Sequence, residues 1–386
     1  MNTTRREFIG ALTLAGLGAN KVLAQEAKPA APAQTTSARP QQPPPVHSPE
    51  LHEDRTVTFR YRSANAKKVE VSGEWGGGNK AMTKDGENVW SVTLGPFEPE
   101  LYGYSLVVDG LRVVDPSNTY TKPARSISTS VLDIPGKPPL IHDWQDVPHG
   151  VVHTHDYVSK ATGSLRRVQV YTPPGYGTTK RKVNYPVLYL LHGSGDNEMT
   201  WTALGRAHWI TNNLLAQKKC VPMVIVMTNG HAVERRTDAD RWRNVEMYEK
   251  ELLESVIPLV ESNYTVKTDA KHRGIIGLSM GGQQSLVVGI KNAEKFAWVG
   301  GMSSAVRDPD TTIGPILKQS GKLNKYLKVL WFACGIDDFL LNENRRFSAI
   351  LDERGIRHGY KETPGNHSWP VWRKYLAEFL PMVFKE

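Results

Sequence analysis

Cysteine is almost missing from this chain: two residues in 386, which excludes a disulfide framework. Cys220 would enter one strand and Cys334 would leave another. Those ends of a parallel sheet lie roughly 15–20 Å apart at about 3.3 Å per residue, against the ~7 Å between Cα atoms that a bridge tolerates. Two buried free thiols are expected. No run of Lys or Arg exceeds three, so the formal charge of +9 is diffuse, and no nucleic-acid partner is indicated. No apolar run reaches the ~20 residues of a bilayer span, so a stable membrane anchor is not expected either. His153 and His155 lack a third ligand at zinc spacing. Gly76-Gly77-Gly78 is followed by neither a lysine–serine pair nor a helix, unlike a phosphate loop. No metal and no cofactor are therefore indicated.

What is present divides into four stretches. Thr4-Arg5-Arg6-Glu7-Phe8-Ile9 precedes a short apolar segment, and Val22-Leu23-Ala24 offers a small-residue cleavage site. Residues 1–24 thus have the layout of a twin-arginine-type export signal, which predicts a periplasmic or extracellular protein. Residues 25–50 are rich in Pro, Ala, Gln and Thr and read as a linker. From 51 to 138 short alternating runs follow one another. Val57–Tyr61, Val69–Val71, Val89–Leu94 and Tyr102–Val108 lead into a hairpin turn at Asp109-Gly110, a pattern that predicts a small antiparallel β-sandwich. From 139 to 386 apolar strands alternate with helical segments, which predicts an α/β domain with a doubly wound, mostly parallel sheet. Its strands are expected at 167–172, 187–191, 221–228, 273–278, 298–302, 328–333 and 359–362, and its helices at 204–216, 247–262, 282–291, 344–354 and 372–379.

The sharpest chemical signal is Gly277-Leu278-Ser279-Met280-Gly281 between an apolar strand and a helix. That context is a nucleophile elbow, in which a strained turn presents the serine oxygen at the carboxyl edge of a sheet. A hydroxyl needs a base, and chain order Ser–acid–His leaves His358 and His367. His367, in the polar turn after the last strand, fits; His358 lies ahead of that strand, at the opposite edge. The acid should follow Val329–Ala333, where the spacing Gly335-x-x-Asp338 favours Asp338 over Asp337. Oxyanion donors are expected from the amide of Met280 and, in the loop His192-Gly193-Ser194-Gly195, from that of Ser194. His192 is expected to shape this loop.

Tyr189-Leu190-Leu191-His192-Gly193 with Trp201 following, Pro222–Met227, Gly277–Gly282, Cys334–Asp338 and His367-Ser368-Trp369 together resemble the esterase-D-like α/β hydrolases. The resemblance is closest to carbohydrate esterase family 1, which includes feruloyl and acetylxylan esterases. Gly73-Glu74-Trp75, the Met82–Thr93 stretch with Trp90, and Tyr104–Gly110 resemble an early-set sandwich of the family 48 carbohydrate-binding modules. The resemblance implies a serine esterase acting on feruloyl or acetyl groups of plant cell-wall polysaccharide. Trp201 and Trp369 are then expected substrate contacts, and Trp75 and Trp90 candidate glycan platforms. The basic segment from Arg235-Arg236 to Arg243, with Arg236 as a candidate substrate contact, would equally suit the anionic catecholate handled by siderophore esterases of the enterochelin type. A non-catalytic glycan-binding protein is a third reading, which the intact Ser, Asp and His candidates disfavour.

Overall fold

The computed structural model describes residues 44–178, 183–234, 237 and 239–385. The expected export signal, the linker as far as residue 43, and Arg236 lie outside the described residues. Pro45–Glu386 forms one compact unit.

Period-2 alternation turns Val57, Phe59, Val69 and Val71 inward, and all four are buried. The strands that carry them are, in chain order, β1 (Glu50–Leu51), β2 (Val57–Arg62), β3 (Val69–Gly73), β4 (Lys80–Ala81), β5 (Thr83–Lys84), β6 (Val89–Leu94), β7 (Glu100–Val108), β8 (Leu111–Val113) and β9 (Ser130–Ile134). They make two antiparallel sheets, ordered β1-β2-β6-β5 and β4-β3-β7-β8, with β9 beside β8 on the edge of β7 away from β3. Of the two candidate glycan platforms, Trp90 is buried in the sandwich core and Trp75 is half-buried against it. The Trp75 ring packs among Phe59, Phe97, Tyr102 and Tyr104. Trp90 is buried, with its indole N–H on the Ser63 carbonyl and the Lys84 ammonium over its ring.

The second part is a mixed eight-stranded sheet in an α/β-hydrolase arrangement. Its strands are β10 (Val151–Val158), β11 (Leu165–Thr172), β12 (Val187–Leu191), β13 (Val224–Thr228), β14 (Arg273–Leu278), β15 (Trp298–Met302), β16 (Val329–Gly335) and β17 (Gly359–Thr363). The order is β10-β11-β13-β12-β14-β15-β16-β17; β11 is antiparallel to its neighbours and the rest are parallel. The helices are α1 (Thr200–Ala203), α2 (Ala207–Ala216), α3 (Ala239–Glu251), α4 (Ile257–Asn263), α5 (Met280–Lys291), α6 (Pro309–Leu317), α7 (Ser320–Tyr326), α8 (Leu341–Glu353) and α9 (Trp369–Phe379). The single helix expected over 247–262 starts earlier and passes through a π-helical turn at Leu252–Val256. Pro258 just beyond that turn has no N–H to donate back to it. Cys220 and Cys334 are free and buried, and burial pushes each thiol up to about 12.

The two parts share a buried seam. Leu101 and Val131 of the sandwich belong to one apolar cluster with Trp201, Leu204, Trp369 and Tyr375. Through it runs Arg373 of α9, fully buried. Its guanidinium donates to the Leu204 carbonyl at 2.8 Å, to Glu100 Oε1 at 2.9 Å and to the Leu101 carbonyl. A buried charge left without its partner is costly. Replacing Arg373 by Ala is expected to destabilise the protein by about 3–5 kcal/mol in urea unfolding; a change under about 1 kcal/mol would mean that the seam holds little.

Candidate active site

In chain order the sheet runs from β12 outward to β13 and back across β12 to β14. The carboxyl ends of β12 and β14 therefore flank a topological switch point, where open α/β sheets bind ligands. Ser279 stands at this edge between β14 and α5, with φ 54° and ψ −114°. Its own N–H is tied to the Met302 carbonyl at 2.8 Å, at the end of β15. The flanking glycines are sterically required: a Cβ on Gly281 would strike the His192 carbonyl, and one on Gly277 the Gly281 backbone.

The acid and base arrive on two loops that are stitched together. Ile336 and Asp337 donate their amides to the carbonyls of Thr363 and Gly365, at 2.8 and 3.0 Å. The approach is so close that a Cβ on Gly335 would collide with the Gly365 carbonyl. His367 Nε2 then lies 3.0 Å from Ser279 Oγ, and its Nδ1 is 2.8 and 3.0 Å from the two Asp338 oxygens. With Nδ1–H donating to Asp338, Nε2 is left to accept the serine proton. Asp338 is 5% exposed. Burial pushes its carboxyl up, but the His367 hydrogen bond and charge, with the Leu340 N–H, hold it below the usual value. Asp337 is exposed. The imidazole is further held edge-on by Trp372 at 4.9 Å, and Phe339, 71% exposed, lies 4.5 Å away.

Met280, which follows Ser279 in the chain, and Ser194 line one cavity of about 310 Å³ with Arg125, His231, Arg241 and Asn244. The Met280 amide is in the first turn of α5, whose N–H groups have no acceptor within the helix. His192 does shape the adjoining loop. Its Nδ1 bonds the Gly193 carbonyl at 2.8 Å and its Nε2 accepts the Gly230 N–H at 2.9 Å. Burial lowers it to about 4, so it stays neutral. Asn244 and Gln284 hold the same Gly230 through its carbonyl, and Asn244 also accepts the amides of Ala232 and Val233. No local motif pointed to Asn244, Gln284 or His231, because their role comes from contacts between distant segments.

The sandwich reaches the same rim. In the loop between β8 and β9, Lys122 pairs with Asp196 at 2.8 Å, and the Arg125 amide bonds the Gly195 carbonyl at 3.1 Å. Two expected substrate contacts are corrected. Trp201 is 1% exposed, with its indole N–H on the Leu191 carbonyl at 3.0 Å. Trp369 is enclosed between Trp201 and Trp372. The two rings pack edge to face on each other, and neither lines the cavity beside Met280 and Ser194.

The sheet order, the strained serine turn and the Ser–His–Asp series define an α/β-hydrolase. The chain belongs to the Esterase family, whose model matches residues 159–383. It is 29% identical over 352 residues to an endo-1,4-beta-xylanase/feruloyl esterase of Xylanibacter ruminicola, covering 90% of this chain and 47% of that protein. The chain thus spans about half the length of that relative. It is 24% identical over 238 residues to an acetyl esterase of Caldicellulosiruptor saccharolyticus, covering 52% of this chain and 84% of the relative. Among solved structures, a ferulic acid esterase aligns with a TM-score of 0.54 and 25% identity, over 61% of this chain and 98% of its own. The enterobactin esterase of Shigella flexneri shares the fold over 84% of this chain and 92% of its own, with a TM-score of 0.65 and 19% identity.

Two predictions follow from this geometry. Asp338→Asn is expected to lower kcat on p-nitrophenyl acetate by about 10³–10⁴-fold, by removing the charge that orients and stabilises the imidazolium, while Asp337→Asn stays within about twofold. The reverse ranking would reassign the acid. The second concerns pH. Burial holds His192 at about 4 and His231 at about 3, below the ~6.5 of an unfolded histidine. Below pH ~6.5 the unfolded chain binds more protons, so stability falls on acidification until the folded histidines titrate too. Urea midpoints should therefore be lower at pH 5 than at pH 7; a higher midpoint at pH 5 would contradict this account.

Proposed function

We propose that this protein is an exported serine esterase that removes feruloyl or acetyl groups from plant cell-wall polysaccharide through an acyl-Ser279 intermediate. The observation that carries the reading is the unbroken series Ser279–His367–Asp338 beside a cavity lined by Met280 and Ser194. Ser279 Oγ attacks the ester carbonyl carbon as its proton passes to His367 Nε2. The negative charge on the carbonyl oxygen is met by the amides of Met280 and Ser194, such a donor being typically worth about 3–4 kcal/mol. The ester C–O bond breaks and His367 returns the proton to the departing alcohol oxygen. Water then attacks the acyl-enzyme, giving its proton to His367. The acid leaves as Ser279 regains a proton, and Asp338 remains a carboxylate throughout. The substrate class is carried over from the relatives named feruloyl esterase and acetyl esterase. A twin-arginine-type leader fits a polymer substrate met outside the cytoplasm.

A siderophore-type substrate is the second reading. It is favoured by Arg125 and Arg241 on the cavity beside Ser194, which would suit an anionic catecholate, and by the fold shared with the enterobactin esterase across both parts of the chain. Ser279→Ala should reduce hydrolysis of p-nitrophenyl acetate by about 10³-fold or more; retained turnover would sink the serine mechanism. A panel of methyl ferulate, acetylated xylan and a catecholate siderophore ester, compared by kcat/KM, separates the two readings. Preference for the siderophore would displace the cell-wall assignment.

A further inference from the structure

The first-turn amides of a helix have no partner within it. Helix α9 begins two residues after His367, and Ser368 at its N-cap makes no side-chain capping bond. Pro370 has no N–H to satisfy, and the amides of Val371 and Trp372 turn back to the Ser368 carbonyl. There remains the Trp369 amide. Its acceptor comes from the sandwich, 295 residues away in the chain: Glu74 Oε1, at 3.1 Å. The other carboxylate oxygen accepts the Gly103 amide of β7 at 2.6 Å. Burial pushes the Glu74 carboxyl up, while the Gly103 N–H, the Arg373 guanidinium and the Trp369 N–H pull toward the charged form.

The turn that holds His367 is thus pinned at both ends. Gly365 is fixed by the Asp337 amide and Trp369 by Glu74, and His367 lies between the pins. One turn along α9, Trp372 faces the imidazole edge-on and bonds Ser303 Oγ at 3.0 Å through its indole N–H. We propose that Glu74 is a positioning residue for His367, through which the sandwich sets the 3.0 Å approach of the imidazole to Ser279. The inference rests on the reading of Ser279 and His367 as catalytic. It gives Gly73-Glu74-Trp75 a role independent of glycan binding: Trp75 anchors the turn in the sandwich core, and Glu74 grips the hydrolase helix.

The test is steady-state hydrolysis of p-nitrophenyl acetate by the full chain, with thermal melts to establish folding. Glu74→Ala is expected to lower kcat by about tenfold or more, since misplacing a reacting group by about 1 Å costs rate steeply. KM should stay within about twofold, because Glu74 stands away from the reacting atoms. In Glu74→Gln the shorter bond to Gly103 claims the amide oxygen and turns the NH₂ group against the Trp369 N–H, so kcat should fall about threefold or more. If the alanine variant does not fold, the glutamine variant decides. A folded variant with wild-type kcat, or with a loss confined to melting temperature or KM, overturns the proposal. Ser279→Ala measured alongside keeps the two readings apart. Hydrolysis that survives it removes the serine mechanism; hydrolysis that it abolishes while Glu74 variants keep full kcat removes this inference alone.

Discussion

A guanidinium sealed from water constrains how this molecule is put together. Arg373 can stay charged in an apolar seam because Glu100 and two backbone carbonyls converge on it, and those acceptors come from both parts of the chain. Removing either side would strand an ion in low dielectric, so the sandwich and helix α9 are bound to each other. Because α9 also carries Trp372 against the imidazole, a contact that looks like domain packing belongs to the architecture of the site. Arg206 repeats the device nearby, pairing with Asp133 of β9 and with Asp143.

The site itself depends on how closely backbone can approach backbone. Gly277, Gly281 and Gly335 stand where a Cβ would collide with a carbonyl or neighbouring main chain. Their absence of side chain brings the ends of β12, β14, β16 and β17 together. Around that contact, polar groups are spent on rigidity. His192 is kept neutral by burial and used as a bracket between Gly193 and Gly230. Asp338 is kept charged by His367 despite its burial. Two buried titratable side chains on one sheet edge therefore do opposite work, set by what each can bond to.

The site also has two unlike sides. Toward Met280 and Ser194 lies a polar cavity carrying Arg125, Arg241, His231 and Asn244. Toward His367 lies an exposed aromatic lip, Phe339.

Much was legible because it is local. The alternation of the sandwich strands, the apolar core strands and the Gly-x-Ser-x-Gly turn are each written in a few neighbouring residues, and periodicity follows from backbone geometry. Strand β10 was not legible: as an edge strand its residues are mostly exposed or half-exposed on both faces, which erases the apolar alternation. Helix α6 was hidden by Gly314 and Pro315 inside it. Chain order and loop position pointed to His367, and Gly-x-x-Asp to Asp338; the geometry places both on the Ser279 relay. What sequence could not decide is which way a large side chain faces. The family resemblance made Trp90, Trp201 and Trp369 candidate ligand contacts, yet each ring is buried in packing. Tertiary structure alone also brought Glu74 to α9 and Lys122 and Arg125 to Asp196 and Gly195. Local sequence encodes turns and periodicities, whereas the burial of a particular side chain is set by what the rest of the chain folds against it.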